Sequence, residues 1–492
     1  MNILLIYPEF PDTFWSFKHA LKFIRRKATF PPLGLLTVAA MLPSEWSKRL
    51  VDVNVTKLPE KDLKWADYAF FSSMVIQRKS AYQLIKRCKE AGVKIVAGGP
   101  LFTSEHEQFK DVDHFVLNEA EITLPPFLED LKNGCAKPVY ATPEFADIRE
   151  TATPLWNLVS MSKYASMVIQ YTRGCPYQCE FCDVTELFGH RTRTKTTEQI
   201  TAELDTFYNL GWRGNVFFVD DNLIGNKKSL KQELLPSLLK WQKNHESITF
   251  NTEVSINLAS DEPLMQMMSD AGFNTVFVGI ETPDPVSLAE CGKKQNKDRD
   301  LAEDVRRIQR AGIQVQAGFI VGFDNDTPTI FQRQIDFIQK TGIVTAMVGL
   351  LQAPSGTRLY ERLKKEGRLL GRMSGDNVDG TTNIIPNMDP EIFREGYKRI
   401  LRHIYSPENY YKRIKTLFRE YKAPKIKGKI TLDHILGLIT SIYYLGILGK
   451  ERGQFWHLLF WTTLHRRELF PLAVTLAVYG HHFRKVSELH IL

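Results

Sequence analysis

The chain has 492 residues, 43% of them hydrophobic and 24% charged, proportions that exclude a mainly disordered, collagen-like or polytopic membrane chain. At about 100–200 residues per domain, the length implies two to four domains. Six cysteines are too few for a disulfide scaffold, the opening MNILLIYPEF lacks a signal-peptide pattern, and the net charge of +8 informs only through its placement, so a reducing, cytoplasmic setting is expected.

Asn2 to Tyr7 is a short apolar run stopped by Pro8, which predicts a parallel strand buried on both faces. FPPLGLLTVAAMLP follows as a helix with prolines at its entrance; VDVNVTKL, YAFFSSM, VKIVAGGP and HFVLNEAE read as strands, with SAYQLIKRCKEAG as a helix among them. The alternation predicts a doubly wound, Rossmann-like α/β domain over residues 1–135. Its ligands belong beyond the carboxyl ends of the strands, at Tyr7 to Phe10, Ser72, Ser73, Gly98, Gly99, Glu119 and Glu121. Residues 136–160 hold several prolines without a sustained apolar period and read as a linker.

A second α/β series spans 161–365: MVIQYTRG, NVFFVDDN, ITFNTEVSINLA, TVFVGIET, VQAGFIVGF and TAMVGLL alternate with helical stretches, predicting a partial or full parallel barrel. From 366 to 492 aromatic and basic helices replace the alternation. Lys412, Arg413, Lys415, Arg419, Lys422, Lys425, Lys427 and Lys429 face the lone acid Glu420, and the apolar runs that follow are interrupted. None reaches the roughly 18–20 residues of a spanning helix, so peripheral attachment at the inner membrane face, with Phe455, Trp456, Phe460 and Trp461 buried in lipid, competes with a packed helical cap. No nucleic-acid motif accompanies the charge.

The strongest chemical signal is Cys175, Cys179 and Cys182 in a Cys-x3-Cys-x2-Cys loop after a predicted strand. Three soft thiolates on one short loop suit three irons of a 4Fe-4S cluster and leave the fourth open; a closed zinc site completed by His190 is the alternative. Cys88, Cys135 and Cys291 have no partner at ligand spacing and read as inert thiols, and His481-His482 as a solvated pair.

The cysteine loop and the strands after it resemble the radical S-adenosylmethionine superfamily over residues 161–365. The resemblance implies a cluster held by Cys175, Cys179 and Cys182 that chelates and cleaves S-adenosylmethionine. It places Phe181 by the adenine, Asp220, Asp221 and Asn222 at the methionine amino group, Glu281 at the ribose, and Gly318 and Gly322 at the adenine through their backbones. The first domain, through FPPLGLLTVAAMLP and Gly98-Gly99-Pro100, resembles the cobalamin-binding domain of cobalamin-dependent members, with Ser72, Ser73, Gly98, Gly99 and Glu119 as contacts. No Asp-x-His-x-x-Gly is present, and His19 is the only histidine before 106, so cobalamin without a protein histidine on cobalt is expected.

LFGHRTRTKT, GWRGNVFFVDDNLIGNKK, VFVGIETPD and GYKRILRHIYSPENYYKR resemble the subgroup of hopanoid C-2 methylases and bacteriochlorophyllide side-chain methylases. That implies methylation of an unactivated carbon on a hydrophobic substrate, a lipid or a tetrapyrrole. One S-adenosylmethionine methylates cobalamin; another yields a 5'-deoxyadenosyl radical that removes hydrogen, and the substrate radical takes the methyl group. An electron donor such as flavodoxin or ferredoxin is implied. The sequence marks no general base. Radical rearrangement, carbon-carbon coupling, or a corrinoid-binding sensor without catalysis are the other readings.

Overall fold

The computed structural model describes residues 1–245, 247–424 and 432–490. Its first sheet contains β1 (Asn2–Tyr7), β2 (Ser47–Asp52), β3 (Tyr68–Ser72), β4 (Lys94–Gly98), β5 (His114–Val116) and β6 (Val139–Tyr140), all parallel in the order β2-β1-β3-β4-β5-β6. The apolar run of β1 supplies both faces. Leu4 and Ile6 enter one core with the helix Arg78–Glu90, while Ile3 and Leu5 enter another with the helices Leu33–Met41 and Ala120–Lys132. The order reverses between β1 and β3, which opens a crevice at the carboxyl ends of these strands.

Two local expectations shift. The strand expected at VDVNVTKL begins four residues earlier, as SKRLVD, because β2 is an edge whose charged residues suit a half-solvated strand. Past Asp52 the chain turns, with the Asp52 carboxylate accepting from the Asn54 backbone at 2.9 Å. Within the stretch expected as a linker, β6 pairs with β5 and extends the sheet.

The second sheet contains β7 (Met167–Ile169), β10 (Asn215–Phe218), β11 (Thr249–Val254), β12 (Phe273–Glu281), β13 (Gln314–Val321) and β14 (Ala346–Leu350), paired in sequence order with β7 and β14 as its two edges. It is an open, partial barrel. Val276, Val278 and Ile280 of β12 are fully buried toward the outer helices, and the alternate residues face the lumen, where a Cβ at Gly318 would stand 3.0 Å from Phe277 and 3.7 Å from Met347. A small antiparallel pair, β8 (Thr172–Arg173) with β9 (Arg193–Thr194), brackets the cysteine loop.

The C-terminal helices Pro390–Ile404, Pro407–Glu420, Arg452–His465 and Phe470–His490 share one core with the barrel, and the helix Leu432–Ser441 lies outside it. Tyr397 and Tyr405 donate to the carbonyls of Val348 and Ala346 at 3.0 and 2.6 Å, so edge strand β14 is covered by side chains. Several expectations for this region are overturned. Arg413 is not part of a solvated basic face. It is fully buried and donates to Gln339 and to the Ile404 and Val344 carbonyls at 2.7–3.2 Å. Phe455 lies in the protein core, leaving Phe460 exposed. His482 is fully buried, its Nε2 donating to the Phe14 carbonyl at 3.0 Å; burial lowers its pKa to about 4, so it is neutral. Lys425, Lys427 and Lys429 lie outside the described residues.

The long segment after β1 makes this interface. Phe14 stacks on Phe483 at 4.1 Å, Trp15 donates to the Met347 sulfur at 3.0 Å and meets Phe277 edge-on, and Phe30 lies against Phe217. The first domain therefore sends a strap across the barrel to the last helix.

Candidate active site

The cysteine loop leaves β8 through Gly174, whose φ of +87° and crowding are specific to glycine: a Cβ there would stand 2.7–2.9 Å from the carbonyl oxygens of Arg191, Gly189 and Phe188. The Cys175 amide donates to Gly189 at 3.2 Å and the Glu180 amide to Cys291 at 2.9 Å. Glu180 is ion-paired to Arg362 at 2.7 Å, Arg358 donates to the Gln178 carbonyl, and Tyr177 accepts from Asn257 at 2.8 Å. These later elements hold all three cysteines half-buried on one loop. Burial pushes the Cys175 and Cys182 thiols up; a bound cluster would be the charge that ionises them. Among the described residues no group of three His, Cys, Asp or Glu could hold a single metal ion. A cubane, whose corners are spread, does not need that convergence. Buried Cys291, its thiol pushed up to about 12 mainly by burial, lies outside the loop.

At the end of β10 the three polar residues do different work. Asp220 is fully buried and spends its carboxylate on the backbone amides of Thr172 and Tyr171, so it braces the entrance of the cysteine loop. Asn222 accepts from the Ser255 amide at 3.1 Å. Asp221 alone keeps a buried carboxylate oxygen with no partner, and burial followed by Asp183 raises its pKa to about 6. Across from it on β11 is Glu253, which sequence reading passed over; burial and then Asp221 push it up to about 8. Its signal was present in TFNTEV, as an acid that shares the face of Thr249 and Asn251 on a strand whose other face holds Phe250 and Val254.

Glu281 ends β12 with a φ of +62° at a register shift. It pairs with sheltered Lys293 at 2.6 Å, and Gly279 has no side chain where a Cβ would collide with both. Burial opposes the Lys293 charge, but Glu281 and then Cys179 hold its pKa well above the ordinary value. Lys293 was not anticipated from sequence. It lies 6.0 Å from the Phe181 ring centre, and Phe181 is 6.2 Å from Phe323. Gly318 sits deeper, against Phe277. The Gly322 amide is committed to Asp326 at 2.8 Å, so that N–H is not free for a ligand.

In the first domain, Ser72, Gly98, Gly99 and Glu119 line a cavity of about 250 Å³ at the ends of β3, β4 and β5, with Gly34, Val38 and Phe71 on its walls. A Cβ at Gly98 would stand 2.5 Å from the Val116 carbonyl, and one at Gly99 would stand 2.6 Å from the Ser72 hydroxyl. Ser73 is buried beside them with its hydroxyl unpartnered. The far wall is Gln170, Arg173, Leu187, Phe188 and Lys195, so the cavity runs from the first sheet to the base of the cysteine loop. His19 sits elsewhere, 3.5 Å from Asp12 and with its ring tilted against that of His482 at 5.6 Å.

Glu119 proves to be a clasp, not an open contact. Arg193 grips it bidentately at 2.7 Å, and Arg173 grips Glu121 at 2.7 and 3.1 Å while lying 3.5 Å from Glu119. Both acids come from the first domain and both arginines flank the cysteines, at sequence separations of 74 and 52.

With this geometry in view, a family model described as the radical SAM superfamily matches residues 169–338, and one described as a domain of unknown function matches 357–491. An uncharacterised methyltransferase of Synechocystis is 40% identical over 99% of this chain and 92% of its own length. The hopanoid C-2 methylase of Rhodopseudomonas palustris is 35% identical over 92% and 88%. Among solved structures, the cobalamin-dependent S-adenosylmethionine radical enzyme OxsB with aqua-cobalamin bound superposes with a TM-score of 0.64 at 15% identity, covering 99% of this chain and 80% of that one. The chain belongs to the family of radical S-adenosylmethionine methyltransferases that includes hopanoid C-2 methylase.

Proposed function

We propose that this enzyme transfers a methyl group to an unactivated carbon of a large apolar molecule, with a polycyclic lipid as first candidate and a tetrapyrrole as second. The observation that carries the proposal is the continuous cavity from the Gly98-Gly99 cradle to Arg173 beside the cysteines, which sets two cofactor compartments against each other. A 4Fe-4S cluster fits Cys175, Cys179 and Cys182, and a corrinoid fits the glycine-bared strand ends. When bound, the cluster supplies the electron that splits S-adenosylmethionine and the corrinoid cobalt supplies the methyl group, with electrons drawn from an external donor of the flavodoxin or ferredoxin class.

The chain's own residues hold and exclude. Asp221, with its unpartnered buried oxygen, accepts from the methionine amino group. Glu253 adds negative charge across the lumen, and Glu281, aimed by Lys293, accepts from the ribose hydroxyls. Phe181 packs at the adenine side. Trp15, Phe277 and Met347 line one side of the lumen with apolar surface, which suits an apolar substrate.

The test is anaerobic incubation of reconstituted protein with S-adenosylmethionine carrying a deuterated methyl group and a cell lipid extract. The expected result is a lipid heavier by one labelled methyl group, with S-adenosylhomocysteine and 5'-deoxyadenosine formed in equal amounts. Formation of 5'-deoxyadenosine with an unmethylated, rearranged product overturns the assignment.

A further inference from the structure

The helix beginning at Leu432 continues through a π-helical turn to Ile447. Leu432, Ile435, Ile439, Tyr443 and Ile447 recur at spacings of three and four and are 49–70% exposed, so this is one apolar stripe left in water on an otherwise packed helix. The neighbouring helix Arg452–His465 adds Phe460 at 65% and Leu464 at 80% exposed. Contiguous apolar surface of this kind marks a contact face, not ordinary scatter.

Its surroundings are basic. The stripe's helix packs by Gly437 against Phe23 and Ile24, and that turn carries exposed Lys22, Arg25 and Lys27. Lys450, Arg452 and Arg467 are exposed at the ends of the second helix. Two acids at the ends of the second helix are paired, Glu451 with Arg484 and Glu468 with Arg466. No described helix is long and apolar enough to cross a membrane.

We propose that this two-helix face docks on an anionic lipid bilayer, with the apolar stripe entering the acyl boundary and the basic turn meeting the headgroups. Aromatic and aliphatic exposure beside exposed positive charge is the pattern of an in-plane interfacial helix. The turn at Lys22 to Lys27 belongs to the same strap that carries Trp15 into the barrel lumen. The surface that meets the bilayer is thus joined by a few residues to the chamber wall. This rests on the proposed function only in taking the bilayer as the source of the apolar substrate.

The test is flotation of the full reconstituted chain with phosphatidylcholine vesicles, with and without phosphatidylglycerol. The wild type floats with the anionic vesicles. Ile439→Asp with Tyr443→Asp lowers the bound fraction at least tenfold. Lys22→Gln, Arg25→Asn and Lys27→Gln together lower it by roughly a hundredfold at low salt, about fivefold per charge. Both variants keep the wild-type circular dichroism. Failure of the wild type to float, or flotation unaffected by the apolar pair, overturns the proposal. So does a wild-type dimer that the apolar pair converts to monomer without any vesicle binding, since the face is then an interface between copies. S-adenosylmethionine cleavage on the same samples separates the two readings: flotation without cleavage keeps the docking face and overturns the catalytic reading, and cleavage without flotation does the reverse.

Discussion

Replacing Glu121 by Gln removes the carboxylate that neutralises Arg173 at the seam between the two α/β domains. The Arg173 and Glu121 side chains are only 12% and 10% exposed, so the guanidinium keeps its charge without water to replace the lost partner. Breaking a buried pair from one side costs about 3–5 kcal/mol. Here Glu119 stands 3.5 Å from Arg173 and compensates in part, which brings the expected cost to about 2–3 kcal/mol. Arg173→Gln leaves the sheltered Glu121 carboxylate with the Thr151 hydroxyl and no cation and costs a similar amount, whereas the double variant loses far less than the sum. The resulting coupling is roughly 1.5–3 kcal/mol. Urea unfolding of the four proteins without cofactors, followed by tryptophan fluorescence, reads this cycle. Acid titration gives an independent sign. Burial pushes the Glu121 carboxyl up, but Arg173 outweighs it and holds the pKa below the ordinary value. A depressed folded-state pKa contributes stability above the unfolded value, about 4.3, that is lost as pH falls through the folded one. The wild type should therefore lose its margin over Glu121→Gln in that acid range. Additive single costs, or a difference that persists unchanged below it, refute the clasp.

Substituting Cys175, Cys179 and Cys182 by Ala, singly or together, should abolish the cluster's charge-transfer absorbance after anaerobic reconstitution while circular dichroism stays unchanged. Gly34→Leu offers a selective block of the first compartment: a Cβ there meets only the Ser72 hydroxyl, at 3.9 Å. The larger side chain is therefore accommodated by filling the cavity, and corrinoid uptake by spectral titration should fall at least tenfold with cluster content intact. S-adenosylmethionine affinity measured by calorimetry should rise with pH between about 6 and about 8, where unliganded Asp221 and Glu253 titrate. The cation favours the ionised carboxylates, so binding releases protons, and Asp221→Asn should flatten the lower part of that profile.

What the sequence made legible was local. Four successive aliphatic residues in β1 can only be buried on both sides, and they divide between two cores. The cysteine spacing is likewise contained in eight residues. The Asp-Asp-Asn run follows a strand as expected, but its division of labour was invisible, because what distinguishes Asp220 from Asp221 is which backbone amides reach it from Tyr171 and Thr172, some 50 residues earlier. Glu119 looked like an open loop acid for the same reason: its arginine arrives from 74 residues away. His482 and Arg413 were misplaced because helical periodicity fixes which residues share a face and does not say what covers that face.

The misplaced residues share a physical cause, which is that the three regions do not fold as beads. Phe14 and Phe17 of the first region, the barrel strands and Phe483 of the last helix fall in one continuous hydrophobic core. Deleting the chain beyond Glu366 would strip the stacking partner from Phe14, the hydrogen bond from its carbonyl and the tyrosine cover from β14, leaving a long apolar strap and an open sheet edge in water. The Trp15 indole holds its place in the lumen between Phe277 and Met347 only while that strap is anchored at both ends. The C-terminal helices thereby help to position the wall of the chamber. The same helices carry the exposed stripe, so the position of the chamber wall and the position of the outer docking face are set by one packed unit, and a contact at the surface is mechanically continuous with the lumen.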